Sequence, residues 1–141
     1  MRVVVGKVDD IPPGARRRVN ADGRDVVVFN VGGTFYALRD VCPHQGAQLS
    51  AGPVVGTVTA SGPGCYAYAE DRPVVKCPWH GWEFELATGR SWCDPAKLRV
   101  RRYPVEIESG ADVDAAGRQP GPYTAETVPV SVQERYVVID V

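Results

Sequence analysis

The sequence predicts a small all-β domain built of antiparallel strands, and three observations carry that prediction. Its 141 residues suit one compact core, since a domain takes roughly 100 to 200 residues. Short runs of β-branched and aromatic residues recur along it, punctuated by 15 Gly and 12 Pro. No stretch keeps the 3.6-residue apolar period of an amphipathic helix beyond a turn or two, although residues 95–98 could form a short one.

Strands are expected at 2–8, 25–30, 34–39, 73–76, 82–86, 98–107 and 136–141. The first two each contain three consecutive valines, the third joins Phe35 to Tyr36, and the fourth is a Val74-Val75 pair. The fifth, Trp82-Glu83-Phe84-Glu85-Leu86, alternates strictly and so puts three apolar side chains on one face and two carboxylates on the other. The last two carry Val100, Tyr103, Val105 and the run Tyr136-Val137-Val138-Ile139. Asp22-Gly23, Gly32-Gly33, Gly62-Pro63-Gly64 and Thr88-Gly89 stand where hairpins need positive φ, so antiparallel connection follows. Residues 45–72 and 109–122 lack strong periodicity and read as excursions from the sheet, and no internal repeat is present.

Sixteen basic side chains against seventeen acidic ones leave a net charge of -1, so no global field draws the chain to nucleic acid or to an anionic membrane. Arg16-Arg17-Arg18 and the arginines of 99–102 read as solvated strand faces, with a docking patch for an acidic partner as the other reading. No apolar run approaches the roughly 18 residues of a membrane span, and the first residues lack the layout of a secretion signal. A cytoplasmic protein with no membrane attachment is therefore expected. Four Cys are too few for a disulfide scaffold and suit metal ligands or buried thiols in a reducing compartment.

The chemistry lies in two short clusters. Cys42-Pro43-His44 is followed, after the 32 residues of 45–76, by Cys77-Pro78-Trp79-His80, and these are the only two His of the chain. A Cys2His2 zinc finger groups a Cys pair and then a His pair, whereas here each cluster is mixed and each is followed by Gly, at Gly46 and Gly81. Two mixed loops suit a two-iron centre in which Cys42 and Cys77 hold one iron while His44 and His80 hold the other. A zinc-stabilised or redox-sensing module, and simple structural roles for these residues, remain the alternatives at this level.

Cys42-Pro43-His44-Gln45-Gly46 with Cys77-Pro78-Trp79-His80-Gly81-Trp82 resembles the C-x-H and C-x2-H motif pair of Rieske ferredoxins and of the Rieske domains of ring-hydroxylating oxygenases. That resemblance implies the Rieske fold, an antiparallel β-sandwich base with a smaller inserted cluster-binding subdomain. On this reading residues 1–141 form a single Rieske domain, with the base at about 1–40 and 95–141 and the cluster-binding subdomain at about 41–94. The spacer is about twice the family's usual length, implying an insertion near 52–72. Respiratory-type members add a Cys in each loop, at the places of Ala47 and Trp79 here, and hydroxyl donors where this chain has Trp82 and Phe84. The ferredoxin and oxygenase-domain type is thus implied, with a potential toward the low end of the Rieske range.

Charge counting explains the ligand choice. Two ferric ions and two sulfides carry two net positive charges, which two thiolates neutralise, so an electron enters more easily than into an all-Cys centre. Pro43 and Pro78 stiffen the loops, Gly46 and Gly81 are expected to let backbone N–H groups approach sulfur, and Trp79 and Trp82 complete the surroundings of the cluster. Trp79 is expected as an exposed contact, while Trp82, Phe84 and Trp92 are expected in the core. Cys65 and Cys93 fall outside the motif and read as free thiols.

Catalysis by this chain alone is not expected. A Rieske oxygenase needs a further mononuclear iron with its own His ligands, both His are already used, and no G-x-G-x-x-G run is present. The resemblance implies an electron-transport component of an oxidoreductase system: a one-electron carrier with one [2Fe-2S] cluster. It would take electrons from a flavin-dependent reductase and pass them to a terminal oxygenase, such as a dioxygenase, or to another oxidoreductase. A non-catalytic Rieske subunit permanently bound to a catalytic partner is the alternative.

Overall fold

The structure, a computed structural model, describes residues 2–43, 46–62, 65–79, 81–91, 99–116 and 133–141, with the backbone alone at 57–62 and 65–71. In chain order the strands are β1 (Arg2–Lys7), β2 (Arg16–Ala21), β3 (Arg24–Val31), β4 (Thr34–Arg39), β5 (Val54–Gly62), β6 (Cys65–Lys76) and β7 (Glu83–Glu85). There follow β8 (Arg102–Tyr103), β9 (Val105–Ser109), the helix α1 (Gly110–Ala115) and β10 (Arg135–Asp140). The chain divides into two compact units, Met1–Arg39 with Tyr103–Val141, and Asp40–Arg102.

The first unit holds the sheets β1-β10-β9 and β2-β3-β4-β8. Asp22-Gly23 and Gly32-Gly33 close the β2–β3 and β3–β4 hairpins with positive φ at both residues, the backbone that matches the strand twist. Val3, Val5, Val137 and Ile139 of one sheet pack with Val19, Ala21, Val26, Val28, Ala37 and Tyr103 of the other. The intervening residues Val4, Tyr136 and Val138 form a second, smaller core with Val113 of α1. β1 and β10 are therefore covered on both faces, which is why these two strands read as unbroken apolar runs rather than alternating ones. Ser109 caps α1, its hydroxyl accepting the Asp112 N–H at 3.2 Å.

Several elements depart from the expected strands. β2 was not among them, because its first half is Arg16-Arg17-Arg18 and only Val19 and Ala21 point inward. Arg17 and Arg18 are exposed, on opposite faces of the strand. Arg18 pairs with Asp25 at 3.0 Å, Arg17 lies 3.9 Å from Asp10, and the Arg16 guanidinium stacks 4.9 Å from the Phe29 ring centre. The expected strand at 98–107 is cut into β8 and β9 by Pro104, which has no N–H to donate. Within 109–122, residues 110–115 are helical. With only Gly110 and Val113 buried, that short helix carries no readable period. The expected turn at 95–98, Trp92 and Cys93 lie outside the described residues.

In the second unit β5, β6 and β7 form one antiparallel sheet. Much of the region expected as an excursion without periodicity is therefore the long β5–β6 hairpin. Its register shifts between Val55 and Thr57 and between Ala60 and Gly62, and Pro73 interrupts its apolar pattern, so no single period survives in the sequence. On β6, β7 pairs with Val74, Val75 and Lys76, Phe84 also bridges Ser91, and the described β6 residues nearer the hairpin turn pair with β5. Phe84 and Leu86 are fully buried while Glu83 and Glu85 are half-buried, as their alternation requires. This unit runs past residue 94 to Arg102, because Arg99 bridges Arg90 and the Val100 N–H donates to the Gly89 carbonyl at 2.8 Å. Among the described residues no helix is long and apolar enough to cross a membrane.

Candidate metal centre

The two Cys clusters fold into the same turn. In the first, the Cys42 N–H donates to the Ala47 carbonyl at 2.7 Å and the Gly46 N–H donates to the Cys42 carbonyl at 2.8 Å. In the second, the Cys77 N–H donates to the Trp82 carbonyl at 2.7 Å and the Gly81 N–H donates to the Cys77 carbonyl at 2.9 Å. The backbone thus closes from residue i to i+4 and i+5 in both. Such a closure needs a left-handed residue at i+4, and the φ values of Gly46 and Gly81 are +81° and +69°. The glycines' own N–H groups are engaged by Cys carbonyls, so each glycine takes part in closing its turn.

Because the turns match, their positions correspond. Pro43 and Pro78, both exposed, follow the cysteines. Counted along the sequence from each Cys, Trp79 corresponds to His44 and His80 to Gln45. His44, Gln45 and His80 lie outside the described residues. Trp79 is 59% exposed, whereas Trp82, at the closing position, is half-buried.

Cys42 and Cys77 are 1% and 2% exposed, and neither is in a disulfide. Cys65 starts β6 opposite Gly62, and Cys93 is not described. Among the described residues no three His, Cys, Asp or Glu gather to hold an ion, and both imidazoles of the motif fall outside that set. The donor set nevertheless fits a soft metal group. Two buried cysteines that form no disulfide head turns closed by the same backbone hydrogen bonds, and thiolate is the ligand that iron-sulfur chemistry selects.

The bases of the turns are built differently. The second grows from the β6–β7 ladder, where Lys76 pairs with Glu83 in register and their side chains form an ion pair at 3.5 Å. The first is flanked by Asp40 and by a 3-10 turn at Leu49–Ala51. The Asp40 carboxylate, 1% exposed, accepts the Ser50 N–H at 2.6 Å and the Ser50 hydroxyl at 2.7 Å. The two bases then meet. Gly52 lies directly against the Lys76 carbonyl, and the Lys76 N–H donates to the Pro53 carbonyl at 2.9 Å. Asp40, Ser50 and Gly52 escaped the sequence reading because each is meaningful only through a partner elsewhere in the chain. The one local sign was an acidic residue two positions before Cys42.

Residues 1–104 match the family of the Rieske [2Fe-2S] domain. The chain is 36% identical over 109 residues to the 3-phenylpropionate/cinnamic acid dioxygenase ferredoxin subunit of Escherichia coli K12, covering 77% of this chain and 88% of that protein. It superposes with a TM-score of 0.57 and 28% identity on a chain of the complex of reduced oxygenase and oxidized ferredoxin in carbazole 1,9a-dioxygenase, covering 96% of this chain and 91% of that one. On a longer chain from the reduced complex between oxygenase and ferredoxin of carbazole 1,9a-dioxygenase the TM-score is again 0.57. There the identity is 18% and this chain spans 27% of the other's length, a likeness of fold alone.

Proposed function

The chain belongs to the Rieske [2Fe-2S] domain family, and from that membership we propose that it is a one-electron carrier serving a terminal oxygenase. Its cofactor is one Rieske-type [2Fe-2S] cluster, which when bound would accept and release a single electron. In this proposal Cys42 and Cys77 bind one iron and His44 and His80 the other. The single observation that carries the assignment is the matched pair of turns, each with a buried cysteine at its head. Burial keeps the thiolates from water and from external oxidants, and the stiff closure limits movement of the ligands between redox states. Exposed Pro43, Pro78 and Trp79 give the turns an apolar outer surface for a partner.

The oxygenase partner is supported by the relatives' names and by the oxygenase–ferredoxin complex. A flavin-dependent reductase completes the chain of transfer, because this sequence offers no nicotinamide-binding motif of its own. The proposal places the protein in the cytoplasm, in keeping with two buried cysteines that form no disulfide. Within the second unit, Asp40–Arg102, the proposal puts the cluster-bearing subdomain and assigns the β5–β6 hairpin to the insertion between the ligand loops.

Elemental and sulfide analysis of the purified protein tests the reading. It requires two irons and two acid-labile sulfides per chain, and Cys42→Ser or Cys77→Ser should yield colourless protein. One zinc in place of iron, or a full visible spectrum in either variant, overturns it.

A further inference from the structure

We propose that Asp40 is a positioning residue, whose buried carboxylate closes the first Cys turn by a side-chain clamp where a strand ladder closes the second. The inference rests on the reading of both turns as ligand loops. The turns share their two inner hydrogen bonds, so what distinguishes them is the next connection outward. Around Cys77 that connection is backbone: Lys76 and Glu83 are register partners, and pairing continues through Val75 with Phe84 and Val74 with Glu85. Around Cys42 it cannot be, because β4 ends at Arg39 and the chain after Ala47 enters a 3-10 turn rather than a strand.

A 3-10 turn leaves its first N–H groups without partners inside the turn. Here the Ala51 N–H reaches the Gln48 carbonyl and the Gly52 N–H reaches the Leu49 carbonyl, and it is the Ser50 N–H that donates to Asp40. The Ser50 hydroxyl engages the second carboxylate oxygen. Asp40 and Ser50 thus span the base of the loop 40–50, bonded through both carboxylate oxygens to one residue. A carboxylate that is 1% exposed is costly unless its oxygens accept hydrogen bonds, and this one exchanges water for a fixed crossing of the loop. Since Gly52 then sits on the Lys76 carbonyl, the clamp holds Cys42 in place relative to Cys77.

The holoprotein decides this through chelator-driven bleaching and peptide-level hydrogen exchange. Asp40→Ala should speed bleaching about tenfold, equivalent to about 1.4 kcal/mol, the scale of a lost hydrogen bond to a charged group. Exchange should rise across residues 40–50 and stay at the parent level across 76–83. Asp40→Asn, which keeps an acceptor oxygen, should recover most of the protection. Ser50→Ala should bleach several-fold faster, and adding it to Asp40→Ala should change little, because the two act as one unit. Glu83→Gln, which breaks only the exposed ion pair of the second turn, should bleach at the parent rate.

Parent-rate bleaching in Asp40→Ala, full multiplication of the two single effects, or equal exchange in both loops overturns the proposal. If Asp40→Ala does not fold, Ser50→Ala alone decides, and its bleaching at the parent rate counts against the clamp. Absence of iron and sulfide in the parent would defeat the cluster reading instead, and the exchange comparison would still test the clamp.

Discussion

Replacing Gly52 by Ala should damage the site although nothing in the local backbone forbids it. Gly52 has φ −90° and ψ 154°, an extended conformation that Ala adopts freely. Conformational entropy alone therefore predicts a gain of about 0.4–1 kcal/mol from restricting the unfolded chain. The structure predicts the opposite sign. A Cβ at this position would run into the Lys76 carbonyl, and that group is backbone, held by the Lys76 N–H to Pro53 bond and by the β6–β7 ladder, one residue before Cys77. Overpacking against a fixed neighbour costs about 1–3 kcal/mol, and a carbonyl with so few ways to move lies at the upper end. The net loss should be about 2 kcal/mol. At roughly 3–5 °C per kcal/mol for a chain of this size, thermal unfolding should drop by about 6–10 °C. Melting followed in parallel by far-ultraviolet circular dichroism and by visible absorption is the assay, with the visible signal failing first because the displaced residue adjoins a proposed ligand. Gly46→Ala is the comparison. There the space is open but φ is +81°, so the cost is the left-handed backbone, about 1–2 kcal/mol. A Gly52→Ala protein that melts at or above the parent temperature with its full spectrum would refute the close approach as the reason for glycine.

The double change of Cys65 and Cys93 to Ser should leave iron and sulfide content unchanged, since neither belongs to the matched turns. Loss of iron on assay would show that one of them is a ligand. Shortening the β5–β6 hairpin to a tight Gly-containing turn beyond Thr57 and Ala69 should preserve visible absorption while lowering oxygenase-dependent turnover severalfold. Turnover equal to the parent in a reconstituted reductase–oxygenase assay would confine the hairpin to a structural role. The midpoint potential, read by protein-film voltammetry, should fall toward the bottom of the Rieske range of roughly −150 to +300 mV, because Trp82 and Phe84 supply no hydroxyl donors. A value near the top would mean that other donors reach the cluster.

How much of this was legible in the sequence depended on whether a feature is local. The alternation of Glu83 to Leu86 reported its own burial, although Trp82 before it is half-buried rather than in the core as expected, and the Asp22-Gly23 and Gly32-Gly33 turns reported their own φ, because strand faces and tight turns are decided by adjacent residues. β2 was hidden behind three arginines whose aliphatic stems lie on the strand, and β5 and β6 were hidden by register shifts that break any single period. The helix α1 is too short to show a helical period at all.

The same division runs through the site. By itself the sequence determined the family and the kind of metal group, and it supplied the proposed donors, two Cys and two His in mixed pairs, because these are properties of residue type and short spacing. Only the tertiary structure decided that the two clusters repeat one turn and that their bases meet where Gly52 touches the Lys76 carbonyl. It alone showed that a ladder closes one turn while Asp40 closes the other. The physical reason is that hydrogen bonds and close approaches join residues distant along the chain, and their energy depends on tenths of an ångström that composition and spacing do not encode.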